Sequence, residues 1–179
     1  DPFFDIINKN RIELIKAINA EVELDIHFNF NSDFLNTKRA SKGTMSLPMK
    51  LFGSAKNIVI EITEEYLSEN EEAALSVFLD QARENNNKIA LDDFGAGYAS
   101  LKYVRDLPID VVKLDKHFTF NVSDPSTARL ISFVSEVCED LELEMIGEGI
   151  ETEEDKQMML DLGCKIGQGY LMHRPDFLD

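Results

Sequence analysis

The chain has no tryptophan, two cysteines in 179 residues, five prolines, and 18 lysines and arginines against 34 aspartates and glutamates. Each shortage excludes something. Cys138 and Cys164 form no CxxC pair and cannot make a disulfide framework, so they are expected as reduced thiols in a cytoplasmic protein. The net charge of −16 repels a DNA or RNA duplex, and neither is expected as a partner. No run approaches the roughly 18 consecutive apolar residues of a membrane span, and no signal peptide is visible. An anionic ligand could bind only where local cations, metal ions above all, reverse the sign of the field.

What is present is a regular alternation, without linker or low-complexity tract, that reads as one domain over residues 1–179. Short apolar runs at 24–30, 57–63, 88–93, 111–116, 144–150 and 165–171 are rich in Ile and Val and bounded by turn residues, and they predict strands. Helical patterns fill the gaps. Ser68 and Glu71 predict a capping box, Asp124 with Pro125 a second helix start, and Thr152 a third, closed by Gly163. Strand and helix in repeated succession imply right-handed βα units, hence an α/β fold with a parallel sheet.

The polar residues follow that pattern. Asn29, Glu61, Asp92, Lys113 with Asp115, Glu148 and Gln168 fall at or near the C-terminal ends of the predicted strands. In a TIM-type (β/α)8 barrel the active site is built at that end, from several strands. Any single polar residue there could be loop chemistry; six units delivering one to the same edge imply a site. Lys113 and Asp115 are two apart and share a strand face. Asp92 and Asp93 would face opposite sides of a regular strand, so both reach one site only if Gly95 and Gly97 break the strand. Carboxylates with Asn29 form an all-oxygen set suited to Mg²⁺ or Mn²⁺ rather than zinc. His27, two residues before Asn29, is expected to be a hydrogen-bonded interior histidine. GxGxxG and P-loop spacings are absent from the glycine turn.

The segments HFNFN, IVIEITE, LDDFGAGYASLKYVRDLPIDVVKLDKHF and IGEGIETEEDKQMMLDLGCKIGQGYLMHRP resemble, in order and spacing, the signature segments of the EAL family of bacterial cyclic di-GMP phosphodiesterases. The resemblance runs from about residue 24 to the C-terminus. It implies two divalent ions, Mg²⁺ or Mn²⁺, at a barrel mouth, activating a water that attacks one phosphodiester of cyclic di-GMP to give linear pGpG. It implies Asn29, Glu61, Asp92, Asp93 and Asp115 as metal ligands. Lys113 would orient the water and offset phosphate charge, and Glu148 would act as general base or hold metal-bound water. Glu64 and Glu151 would brace the loop after Asp93, and Gln168 would complete the pocket wall. It also implies a homodimer near that loop and the helix through SLKYV, and the possibility of fused sensory or diguanylate-cyclase domains.

The departures are specific. The family's Glu-Ala-Leu motif, whose glutamate is a further ligand, has no match: EVEL at 21–24 and EEAAL at 71–75 lie in the wrong places. About six βα units are visible where a closed barrel has eight strands, so the domain is expected to be N-terminally short, with DPFFDIINKNRIELIKAI forming a loop and helix. Asn31 and Ala96 stand where the family often has Ser and Thr. Two function classes follow: a metal-dependent phosphodiesterase, or an inactive relative that binds cyclic di-GMP or a protein as a signalling module. Retention of Lys113, Glu148 and both aspartates favours the first; the missing glutamate favours the second. A glycosidase with paired carboxylates is disfavoured by the lack of tryptophan and by carboxylates clustered for metal.

Overall fold

The computed structural model describes residues 26–29, 58–63, 72–96 and 101–174. Six strands and five helices are described, in alternating α/β order: β1 (Ile26–Asn29), β2 (Ile58–Thr63), α1 (Glu72–Glu84), β3 (Lys88–Phe94), α2 (Leu101–Asp106), β4 (Val111–Leu114), α3 (Lys116–Phe120), α4 (Pro125–Asp140), β5 (Glu144–Gly147), α5 (Glu153–Asp161) and β6 (Ile166–Gly167). The chain divides into two compact units, residues 1–89 and 90–179, with the division inside β3.

In the first unit β1 and β2 pair in parallel, Asn29 opposite Glu61 at the C-terminal ends. Ile58, Val59, Ile60 and Ile62 are buried on successive positions, so β2 is covered on both faces, as strands of parallel sheets are. On α1, Leu75, Phe78, Leu79 and Ala82 recur at helical spacing and are buried, while Val77 and Asp80 are exposed. The predicted capping box at Ser68 and Glu71, and the predicted N-terminal loop and helix, lie outside the described residues.

In the second unit the strand order is β3-β4-β5-β6, every pair parallel. All four residues of β4 are buried, Lys113 included. Ile131, Val134 and Cys138 of α4, Met145 and Ile146 of β5 and Met159 of α5 complete a continuous apolar interior. Cys138 and Cys164 are buried and not disulfide-bonded; burial pushes both thiols up to about 11, so they are inert packing groups.

Two helix starts are as the sequence predicts. Thr152 and Asp155 form a reciprocal capping box on α5, and Gly163 closes that helix in the left-handed region at φ +92°. Asp124 accepts the N–H groups of Ser126 and Thr127, with Pro125 in the first turn of α4. The Thr127 N–H bond, the largest influence, holds the Asp124 carboxyl below its usual range. That stabilisation is complete above the ordinary carboxylate pKa and is lost as pH falls through the lowered one. Asp124→Ala is therefore expected to lower the melting temperature near neutral pH, with the deficit shrinking as acid takes the pH down through the lowered carboxyl. Thermal melts at neutral and acid pH check this; a pH-independent deficit would contradict a charge-based cap.

Three strands are shorter than the sequence suggests. β4 stops at Leu114 because Asp115 caps α3, a helix the apolar pattern does not predict. The run at 144–150 pairs only through Gly147, where Gly149 turns the chain at φ +71°. The run at 165–171 keeps two strand residues, because Gly169 lets the chain close on the Ile150 backbone, where a β-carbon would collide.

Candidate metal centre and its comparisons

The local backbone brings the second unit's carboxylates together. β3 does not break at the glycines. It bulges: the register with β4 slips between Leu91 and Phe94, and Asp93 itself adopts φ +53°. A left-handed residue inside a bulge re-aims its side chain, and aspartate tolerates that region better than most residues. Asp92 and Asp93 thus reach one site although they are adjacent. Gly95 continues the turn at φ +92°, and Gly97 lies outside the described residues.

One oxygen each from Asp92, Asp93 and Glu148 lies within 4.8 Å of the others. Lys113, fixed at the centre of the sheet, extends Nζ to 2.7 Å from Asp92 Oδ1 and 2.8 Å from Glu148 Oε1. Its side chain is 5% exposed, so these charges meet in poorly solvated surroundings. Gln168 Nε2 donates to the same Glu148 Oε1 at 2.7 Å. The strand-end backbones are laced as well: Asp115 N–H donates to Phe94 O, Glu148 N–H to Leu114 O, and Gln168 N–H to Gly147 O.

Crowding shows in the titration of these groups. Burial, then Asp92 and Asp115, raises the Asp93 carboxyl against the pull of Lys113 and Lys116. Burial also raises Glu148, outweighing its bond to Lys113. One detail tests whether a cation fits. Asp92 Oδ1 is buried and accepts no hydrogen bond: Lys113 Nζ is at ion-pair distance but off the hydrogen-bonding direction. A buried carboxylate oxygen left in that state, beside two carboxylates reluctant to ionise together, fits a hard divalent ion.

The other predicted site residues fall differently. Asn29 and Glu61 belong to the first unit; there Glu61 Oε1 is 2.7 Å from His27 Nδ1. His27 is hydrogen-bonded as expected, but its side chain is 33% exposed rather than interior. Asp115 is not in the carboxylate cluster. The strand ends at Leu114, so Asp115 lies past it as the cap of α3 rather than on a shared strand face: its Oδ1 accepts the His117 N–H at 2.8 Å and lies 2.6 Å from His117 Nδ1. Glu151 is exposed, and its backbone N–H donates to Asp155; Glu64 and the loop at 97–100 lie outside the described residues. Sequence reading missed Thr119, whose hydroxyl donates to the backbone carbonyl of Glu148 at 2.5 Å. Its only sequence signal is a lone hydroxyl between two phenylalanines.

Carboxylates, a buried lysine and a glutamine at the C-terminal ends of parallel strands form a candidate metal centre on an α/β scaffold. The EAL domain family matches over residues 6–175, and the chain belongs to that family. A cyclic di-GMP phosphodiesterase of Pseudomonas aeruginosa is 39% identical over 117 residues, covering 65% of this chain and 20% of that protein. The Escherichia coli cyclic di-GMP phosphodiesterase PdeL is 33% identical over 135 residues, covering 75% of this chain and 37% of PdeL. Among solved structures, PaMucR phosphodiesterase in its c-di-GMP complex matches with a TM-score of 0.78 at 25% identity, over 97% of this chain and 71% of that one. The fold is that of EAL domains, which form TIM-type barrels. The chain spans well under half the length of these two curated relatives. No described helix is long and apolar enough to cross a membrane.

Proposed function

We propose that the chain carries a metal-dependent phosphodiesterase site that hydrolyses cyclic di-GMP to linear pGpG. The carrying observation is the buried Lys113 held between Asp92 and Glu148, with Asp93 completing the carboxylate group. Asp92 and Asp93 would hold divalent ions, Mg²⁺ or Mn²⁺, with the Glu148 carboxylate beside them. In the first unit, Asn29 and Glu61 offer oxygens of the same hard type. When bound, the ions supply positive charge for a phosphodiester and lower the pKa of water.

The remaining steps belong to side chains. Lys113 offsets the negative charge that builds on the phosphoryl oxygens. Lys113 and Gln168 both bind Glu148 Oε1, which leaves Oε2 to accept the proton of the attacking water. The water oxygen forms the new bond to phosphorus and the P–O3′ bond breaks; the departing O3′ takes a proton from solvent water to become a hydroxyl, and the ring opens to the 5′-phosphate. In the metal-free site burial raises the Glu148 carboxyl, which favours its taking up a proton. A cytoplasmic homodimer, associating near α2 where Leu101 is exposed, and fused regulatory domains belong to the same proposal.

The test is chromatography of cyclic di-GMP incubated with the protein and Mn²⁺. Conversion to pGpG is expected, and Glu148→Gln should lower kcat by about 10²-fold or more while retaining dinucleotide binding. Undiminished turnover in Glu148→Gln would remove it as the base. A protein that binds the dinucleotide without converting it would be the signalling module instead.

A further inference from the structure

We infer that Thr119 is a positioning residue for Glu148: its buried hydroxyl fixes the Glu148 peptide and so aims the carboxylate at Lys113. The inference rests on the site reading above and assigns it a residue outside the carboxylate cluster.

α3 is wedged between two glycine turns. A β-carbon at Gly95, after β3, would run into the Phe118 ring; one at Gly149, after β5, would come 2.7 Å from Lys116 Cβ and 3.3 Å from the Phe120 ring. The turn that follows Asp92 and Asp93 and the turn that follows Glu148 thus both pack on this one helix. Thr119 is the inward residue between them, 1% exposed. Its Oγ1 donates to Glu148 O, a partner 29 residues away.

That bond matters because of where β5 ends. Glu148 lies past the last paired residue, Gly147, and Gly149 beyond it is in the left-handed region. The Glu148 N–H is held by Leu114 O, and the Glu148 carbonyl by Thr119. A residue whose two flanking peptides are both anchored has a fixed Cα and Cβ direction, so the long glutamate side chain meets Lys113 and Gln168 from a defined origin. Without the hydroxyl a part-buried carbonyl beside a permissive glycine loses its partner, and the peptide is free to rotate.

Thr119→Val keeps the shape and removes only the hydroxyl; Thr119→Ser keeps the hydroxyl. Three readouts apply: the ¹⁵N-detected ammonium signal of Lys113 in the metal-free protein, Mn²⁺ affinity by calorimetry, and kcat against KM on cyclic di-GMP. Thr119→Val is expected to shift the Lys113 signal and to weaken Mn²⁺ binding and kcat about tenfold or more, with KM little changed. Thr119→Ser should restore all three. An unchanged Lys113 signal and Mn²⁺ affinity in Thr119→Val would overturn the inference, as would a Thr119→Ser protein as impaired as Thr119→Val. A wild type that never hydrolyses cyclic di-GMP, yet shows the Lys113 and Mn²⁺ effects, would overturn the phosphodiesterase reading and uphold the role of Thr119.

Discussion

Lys113→Met is expected to abolish turnover and to make the folded protein dependent on added metal. The two effects have separate causes. Lys113 stands 2.7 Å from Asp92 Oδ1 and 2.8 Å from Glu148 Oε1, and the three side chains are 5%, 11% and 16% exposed. Methionine fills the same space without charge and leaves two carboxylates facing each other with little water. Breaking a buried ion pair on one side costs about 3 kcal/mol or more, most of it from the uncompensated partner. Mn²⁺ can supply that missing charge, so the variant's melting temperature should recover substantially when the ion is added. Catalysis should not recover. A fixed ammonium that stabilises developing phosphoryl charge is worth about 10²-fold or more in kcat, and an ion already required by the wild type cannot replace it. Thermal melts with and without Mn²⁺, paired with the pGpG assay, separate the outcomes. A Lys113→Met protein with wild-type kcat would show that the ammonium has only a structural role.

The strand-end chemistry was legible in the sequence because burial writes it there. A charge near the end of an apolar run such as IALDD or VVKLD needs a partner, so Asp92 and Lys113 stood out. The local helix signals at Asp124, Pro125 and Thr152 were equally readable, since a cap needs only its own next three residues. The bulge was not. Two adjacent carboxylates followed by glycines suggested a broken strand, and nothing in composition says that Asp93 would take the left-handed conformation itself. Asp115 was ambiguous for a different reason: a helix cap and a metal ligand both ask for a carboxylate at a strand end. In the structure Asp115 caps α3, its Oδ1 accepting the His117 N–H and lying 2.6 Å from His117 Nδ1. Thr119 was invisible because its meaning lies entirely in an acceptor 29 residues away.

Mn²⁺ is expected to raise the melting temperature of the wild type, and the increase should grow as pH rises from mildly acidic to neutral. Asp93 and Glu148 are both raised above their ordinary values, chiefly by burial and then, for Asp93, by the neighbouring carboxylates. A carboxyl whose folded-state pKa lies above its unfolded value leaves the folded protein binding more protons than the unfolded chain across that interval. Stability therefore falls as pH rises from the ordinary carboxylate range through the raised values, and levels off above them. The metal-free protein is at its least favourable, with respect to these two groups, when both are ionised. That ionised set is what a divalent ion binds, so protons compete with it below this window and leave the field above it. Binding confined to the folded state stabilises by mass action; at a free Mn²⁺ concentration about 100 times Kd the gain is about 2.7 kcal/mol. Asp92→Ala should remove most of it, because the buried Oδ1 that accepts no hydrogen bond is then gone. Calorimetric scans with and without Mn²⁺ at several pH values provide the measurement. A metal-induced shift that is absent, insensitive to pH, or retained in Asp92→Ala would refute the metal assignment. The opposite slope, with the largest shift in acid, would mean that the ion binds somewhere other than these crowded carboxylates.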